Sequence, residues 1–327
     1  MNPAQTTPHL DPALPARETE VPFLRKNQYA LLYSLRCNYA CSYCCTKAGR
    51  GSPQSWVEAN PARVARFLLA LEPGVVMISG GEPFLWRELP ALARITSRHI
   101  WIVLTNASLV PRNLQPDLFP MVIAAYHSEA ADWNRFLNNV LEYQQRGVRV
   151  LVKLIVKPFQ EQETLDQWKA AWDQGISAHL CPLEYNVHFP LRRLQEIVDH
   201  HLTSCLYNSR FFRLPLRRGY CPAGSREMLE INPDGTVVAC STVMRPVGHA
   251  GREVPTTPGI ACPADNCYCE WHHWKGVASN HENPRWNYFF QTGTWIHPSR
   301  EEFRDYLIKA GYSLHGMNLE QSREAWV

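Results

Sequence analysis

No apolar run in the 327-residue chain reaches the roughly 18 residues that a membrane-spanning helix requires. Met1-Asn2-Pro3-Ala4-Gln5 opens it without the charged and apolar regions of a secretory signal. No membrane partner is therefore expected, and the expected compartment is the cytoplasm. Charge of one sign is also scarce: 33 Lys plus Arg stand against 30 Asp plus Glu, a formal net charge of +3. So small an excess makes no electrostatic footprint for non-specific nucleic-acid binding, and a nucleic-acid partner is not expected. The last stretch of the chain holds no repeat or low-complexity tract. With 45% hydrophobic and 19% charged residues, wholesale disorder, collagen and coiled coil are excluded, and one large domain with a small appendix can bury a core.

What is present is an ordered change of pattern. Residues 1–26 form an extended arm, because Pro3, Pro8, Pro12, Pro15 and Pro22 resist helix and ladder pairing alike. From residue 27 to 204, short apolar runs alternate with helical periodicity, the pattern of strand–helix units around a parallel sheet. Six strands are predicted, at 29–33, 75–78, 100–104, 121–125, 151–156 and 176–180. Between them Val64, Phe67, Leu68 and Leu71 recur at helical spacing, as do Trp133, Phe136, Leu137, Val140 and Leu141. Gly147 and Gly175 sit where helices should stop. The fold class is α/β: a partial (β/α)6 TIM-like barrel followed by a small cysteine-rich domain with a β-hairpin. That second domain covers 205–275, and Asn232-Pro233-Asp234-Gly235 supplies its turn between strands at 229–231 and 236–239. The tail, 276–327, carries one predicted helix at 300–310 and enough aromatics to form a lid.

Eleven cysteines in a reducing compartment are better explained as metal or cluster ligands than as disulfides. Cys37, Cys41 and Cys44 follow the first strand directly, at the carboxyl end of the sheet where α/β folds place active sites. Three thiolates in one loop suit a 4Fe-4S cluster with one iron left open. Zinc is the alternative, with Cys45 as a formal fourth ligand, but zinc leaves Gly80-Gly81-Glu82-Pro83 after the second strand unexplained. The Cys-x3-Cys-x2-Cys loop and the Gly-Gly-Glu-Pro segment together resemble the radical S-adenosylmethionine (radical SAM) superfamily. The resemblance implies that Cys37, Cys41 and Cys44 hold a SAM-binding 4Fe-4S cluster. It also implies that the backbone of Gly80, Gly81, Glu82 and Pro83 orients the amine of SAM, and that Tyr43, the aromatic before the third cysteine, lies at the cofactor. A bulky residue at Gly81 is accordingly expected to intrude on SAM. Thr105 and Asn106, at the end of the third strand, are further SAM-pocket candidates, beside an Ala107 where many relatives carry glycine. His127 and Glu184, just past strand ends, are substrate candidates. So is Lys153, which interrupts an apolar strand and, if its neighbours alternate, faces the lumen where it can meet a carboxylate or phosphate. Ser128 is expected to cap a helix over 129–145.

A second cysteine group begins with Cys221, spaced thirteen residues from Gly235, which is followed after four more by Cys240. This resembles the auxiliary-cluster extensions called SPASM and twitch domains. The resemblance implies a second 4Fe-4S cluster held by Cys221, Cys240 and two of Cys262, Cys267 and Cys269. The six cysteines from 205 to 269 suit one auxiliary cluster, hence a twitch-like count; a zinc ribbon is the alternative. The expected activity is reductive cleavage of SAM to a 5′-deoxyadenosyl radical that abstracts hydrogen from a small polar metabolite, because the cysteine loop starts too early for a preceding peptide-binding domain. An external one-electron reductant such as flavodoxin or ferredoxin is the expected partner. A peptide or protein maturase is the alternative within the class, and an iron–sulfur electron carrier or sensor is the alternative outside it.

Overall fold

The computed structural model describes residues 27–44, 46, 48–49, 56–157, 160–182, 220–221, 223–240, 244–252, 254–255 and 259–261. The predicted arm, the 300–310 helix, Cys45, Glu184, Cys262, Cys267, Cys269 and the tail lie outside them.

Six strands run parallel in chain order: β1 (Asn27–Leu32), β2 (Gly74–Ser79), β3 (Ile100–Thr105), β4 (Met121–Tyr126), β5 (Arg149–Val156) and β6 (Ala178–Pro182). Between them come α1 (Pro61–Leu69), α2 (Leu89–Ile95), α3 (Trp133–Gln145) and α4 (Glu161–Asp173). The six-stranded α/β prediction therefore holds, with an open sheet. Alternation divides each strand between two surfaces. Val150, Val152, Leu154 and Val156 of β5 join the helices in the main core, together with Tyr29, Leu31, Val76, Ile78, Val122 and Ala124. Lys153, between them in sequence, is thereby on the opposite face with Leu151 and Ile155.

Both predicted helix stops are made by the expected glycines. Gly147 (φ 81°) and Gly175 (φ 72°) take the left-handed conformation. The next amides, Val148 and Ile176, then bond back to Tyr143 and Ala171, closing Schellman-type caps. This cap explains why β6 starts two residues later than the periodicity suggests: Ile176 belongs to the end of α4. The Ser128 prediction is corrected. Helix α3 begins only at Trp133, and its cap is Asp132, whose carboxylate accepts from the Arg135 amide at 2.9 Å. Residues 127–131 instead form a turn in which the His127 carbonyl accepts from the Ala130 and Ala131 amides.

The predicted hairpin is β8 (Met228–Ile231) and β9 (Thr236–Val238), antiparallel around Gly235, whose φ is 93°. Its β8 pairs in parallel with β1, Gln28 opposite Met228 and Leu31 opposite Ile231, so the hairpin continues the barrel's own sheet. With β10 (Pro246–His249) outside β9, the order is β10-β9-β8-β1-β2-β3-β4-β5-β6. A separate antiparallel pair joins β7 (Tyr220–Cys221) to β11 (Ile260–Ala261). Among the described residues, no helix is long and apolar enough to cross a membrane.

Candidate active site

The cysteine loop leaves β1 at its carboxyl end and is gripped by glycines on two sides. A Cβ on Gly81 would stand 1.8 Å from the Arg36 carbonyl oxygen, and one on Gly80 would stand 2.3 Å from that of Ser34. From the other side Gly49, at φ 73°, presses on the Tyr39 carbonyl, where a Cβ would approach to 1.7 Å. Only residues without a Cβ allow backbone this close to backbone. The Gly81 and Glu82 amides donate to the Ser34 and Arg36 carbonyls at 2.8 and 2.9 Å, and the Gly49 amide donates to Leu35 at 2.9 Å. Among the described residues, the Gly80 and Gly81 carbonyls accept no hydrogen bond. The expectation for Gly81 is thereby changed: a side chain there meets the chain just before Cys37, so it disturbs the cysteine loop itself.

Glu82 is fully buried and ties that segment to the end of β3. Its carboxylate accepts from the Phe84 amide at 3.0 Å, the Asn106 amide at 2.8 Å and the Thr105 hydroxyl at 2.8 Å to each oxygen. Burial pushes its pKa up to about 7, against the opposing pull of the Phe84 and Asn106 amides and the Thr105 hydroxyl. Thr105 is thus turned toward Glu82, and its oxygen also accepts from the Ala107 amide at 3.0 Å. Ala107 is held at φ 51°, left-handed without glycine's freedom, and the Asn139 amide bonds its carbonyl at 2.7 Å. Asn106 reaches the cysteine loop: its Nδ2 donates to Asn38 Oδ1 at 3.0 Å and to Cys37 Sγ at 3.7 Å.

Burial raises the pKa of the Cys37 thiol and pushes that of Cys41 up to about 11, with Cys44 and Cys37 adding to the effect at Cys41. The three sulfurs are therefore within electrostatic reach of one another. Among the described residues, no three His, Cys, Asp or Glu side chains form a group that could hold one metal ion. The Cys44 amide closes a turn onto the Cys41 carbonyl at 3.2 Å.

Tyr43 points into a cluster that spacing alone does not reveal. The His127 ring stacks on it at 5.8 Å between centroids, with His127 Nδ1 3.1 Å from the Tyr43 hydroxyl. The Lys157 ammonium lies 4.5 Å from the Tyr43 ring centroid. Glu129 accepts from the Ser42 amide at 2.7 Å, the Ser42 hydroxyl at 2.6 Å and Lys157 at 3.4 Å. Burial, then the positive charges of Lys153 and Lys157, push the His127 pKa down to about 4, so it is neutral near pH 7. Burial works to raise the Glu129 pKa, but the Ser42 bonds and Lys157 outweigh it and hold it below the usual range. Glu129 and Lys157, both just beyond a strand end, and Ser42 and Gly49 are the residues sequence reasoning missed. Only that position past a strand hints at the first two.

Residues 31–167 match the family model of the Radical SAM superfamily. Over that span the chain is similar to radical SAM domains. No curated protein matches the chain in sequence. Among solved structures, native anSMEcpe with bound AdoMet is 13% identical at a TM-score of 0.52, over 86% of this chain and 97% of that one. Native anSMEcpe with AdoMet and the Cp18Cys peptide is 14% identical at 0.50, over 86% and 96%. BtrN in complex with AdoMet and 2-DOIA is 14% identical at 0.33, over 82% and 88%. At such identities the anSMEcpe likeness concerns the fold. A radical SAM domain would imply SAM and a 4Fe-4S cluster, and the donor set fits both: three cysteines in one loop, beside two backbone carbonyls that accept no hydrogen bond among the described residues.

Proposed function

We propose that the chain is an enzyme that cleaves SAM reductively and uses the resulting 5′-deoxyadenosyl radical to abstract hydrogen from a small polar metabolite. The observation that carries this reading is the cysteine loop clamped between Gly49 and the Gly80–Gly81 backbone at the carboxyl end of β1. Cys37, Cys41 and Cys44 would hold the cluster. The Gly80 and Gly81 carbonyls would accept from the amine of SAM. Glu82 and Thr105 act through the backbone, fixing the two strand ends that border the pocket. When bound, the cluster and SAM supply one-electron cleavage of a carbon–sulfur bond. His127, neutral and paired with Tyr43, and Lys153, on the sheet face away from the helix-packed core, would receive a polar or anionic part of the substrate.

In the same reading a second 4Fe-4S cluster is held by Cys221, Cys240 and two of Cys262, Cys267 and Cys269 in a twitch-like domain. Supporting it, β7 sets Cys221 opposite Ile260, two residues before Cys262. Flavodoxin or ferredoxin would supply the electron. A peptide substrate is the second reading, favoured by the peptide named with the anSMEcpe structure. The test is anaerobic incubation of the reduced protein with SAM. Formation of 5′-deoxyadenosine that is lost in Cys41→Ala supports the proposal, whereas retained cleavage at the normal rate in that variant overturns it. Deuterium transfer into 5′-deoxyadenosine from labelled metabolite fractions, or from labelled peptides, separates the two substrate classes.

A further inference from the structure

We propose that Asn106 is a positioning residue that raises the reduction potential of the cluster held by Cys37, Cys41 and Cys44, through its N–H bond to the Cys37 sulfur. The inference rests on the cluster assignment above. Two observations carry it beyond that assignment. First, the direction of the amide is fixed. Asn106 Oδ1 accepts from the Ser108 amide at 2.9 Å, and a backbone N–H can only donate, so Nδ2 must face the other way. There it has two acceptors, Asn38 Oδ1 and Cys37 Sγ, one for each hydrogen.

Second, the backbone around this side chain is over-determined. The Asn106 amide is anchored on the buried Glu82 carboxylate, and Ala107 is held in a left-handed conformation by bonds at both its amide and its carbonyl. Strain of this kind persists where the surroundings enforce it, characteristically at functional sites. Here it turns the chain so that an asparagine reaches the first cysteine. Cys37 Sγ also accepts from the Tyr39 amide at 3.4 Å, so Asn106 supplies a side-chain donor beside a backbone one.

A donor hydrogen at a ligating sulfur favours the more negative, one-electron-reduced state, and hydrogen bonds to the sulfurs are among the factors that set cluster potentials. Removing it should lower the equilibrium constant for one-electron reduction by about tenfold, equivalent to about 59 mV. The experiment uses the full chain reconstituted anaerobically with iron and sulfide. The electron paramagnetic resonance signal that SAM perturbs is followed through a redox titration. Asn106→Ser keeps the backbone bond to Glu82 but withdraws the amide from Cys37; Asn106→Asp keeps the shape but replaces the donor by an acceptor. Both should shift the midpoint of that signal to more negative potential while iron content stays near wild type. An unchanged midpoint in the two iron-loaded variants overturns the inference and leaves the cluster assignment intact. Loss of iron in both variants also overturns it, in favour of a purely structural role. A wild-type chain with no SAM-sensitive signal sinks the cluster assignment itself.

Discussion

Glu82 shows how one side chain can hold two loops and make the site sensitive to pH. Its two oxygens serve two backbone amides and a hydroxyl, so Glu82→Gln must present an amide group where an acceptor is needed. One buried N–H, of Phe84 or of Asn106, is left without a partner, at a cost of about 1–3 kcal/mol. Urea denaturation of the two proteins at pH 7 measures this directly. The pH dependence has a definite sign. The folded pKa of about 7 lies above the ordinary value of 4.5, so folding favours the protonated acid. That contribution is complete below pH 4.5 and is lost as pH rises through 7. Wild type should therefore lose stability across this window, and Glu82→Gln should show a flatter profile; equal slopes would show that Glu82 does not titrate there.

At the scale of elements, the turns are where sequence and conformation disagree most informatively. Ala107 sits at φ 51°, so Ala107→Gly relieves a left-handed strain and should raise stability by roughly 0.5–1 kcal/mol, read as a higher melting temperature. Gly235 is the opposite case. At φ 93°, with His249 and Arg63 atoms 2.9 and 3.0 Å from where a Cβ would be, Gly235→Ala should destabilise the β8–β9 hairpin by more than about 1 kcal/mol. Unchanged melting in either variant would contradict the conformations described. The strands, the helix stops at Gly147 and Gly175 and the hairpin turn were legible in the sequence because each is encoded over a few neighbouring residues. The cysteine loop and the Gly-Gly-Glu-Pro segment were legible for the same reason. The Ser42–Glu129 and Tyr43–His127 contacts were not, since they join the first strand's loop to the end of the fourth across more than eighty residues. Nor was the cap at Asp132, because Ser128 and Asp132 are both competent caps and the turn at His127 decides between them.

For the whole molecule, the proposed second cluster makes a simple count. Anaerobically purified protein should hold about eight irons per chain, and Cys240→Ala about four while still cleaving SAM slowly. About four irons in wild type, or stoichiometric zinc, would remove the auxiliary cluster from the proposal.

The pairing of β8 with β1 carries a consequence of another kind, in the order in which the chain is made. The strand that launches the cysteine loop is translated first, yet it is flanked on both sides, by β2 and by β8. Its second neighbour arrives about two hundred residues later; the Tyr29 hydroxyl bonds the Arg226 carbonyl across a separation of 197. Such non-local pairing slows folding, and until it forms β1 offers an open edge able to capture another chain. A chain ending at residue 219 should therefore aggregate on expression even though it contains the whole family-matched span. The hairpin in that sense acts as a late clasp: a ribosome must pass residue 231 before the first strand has both neighbours.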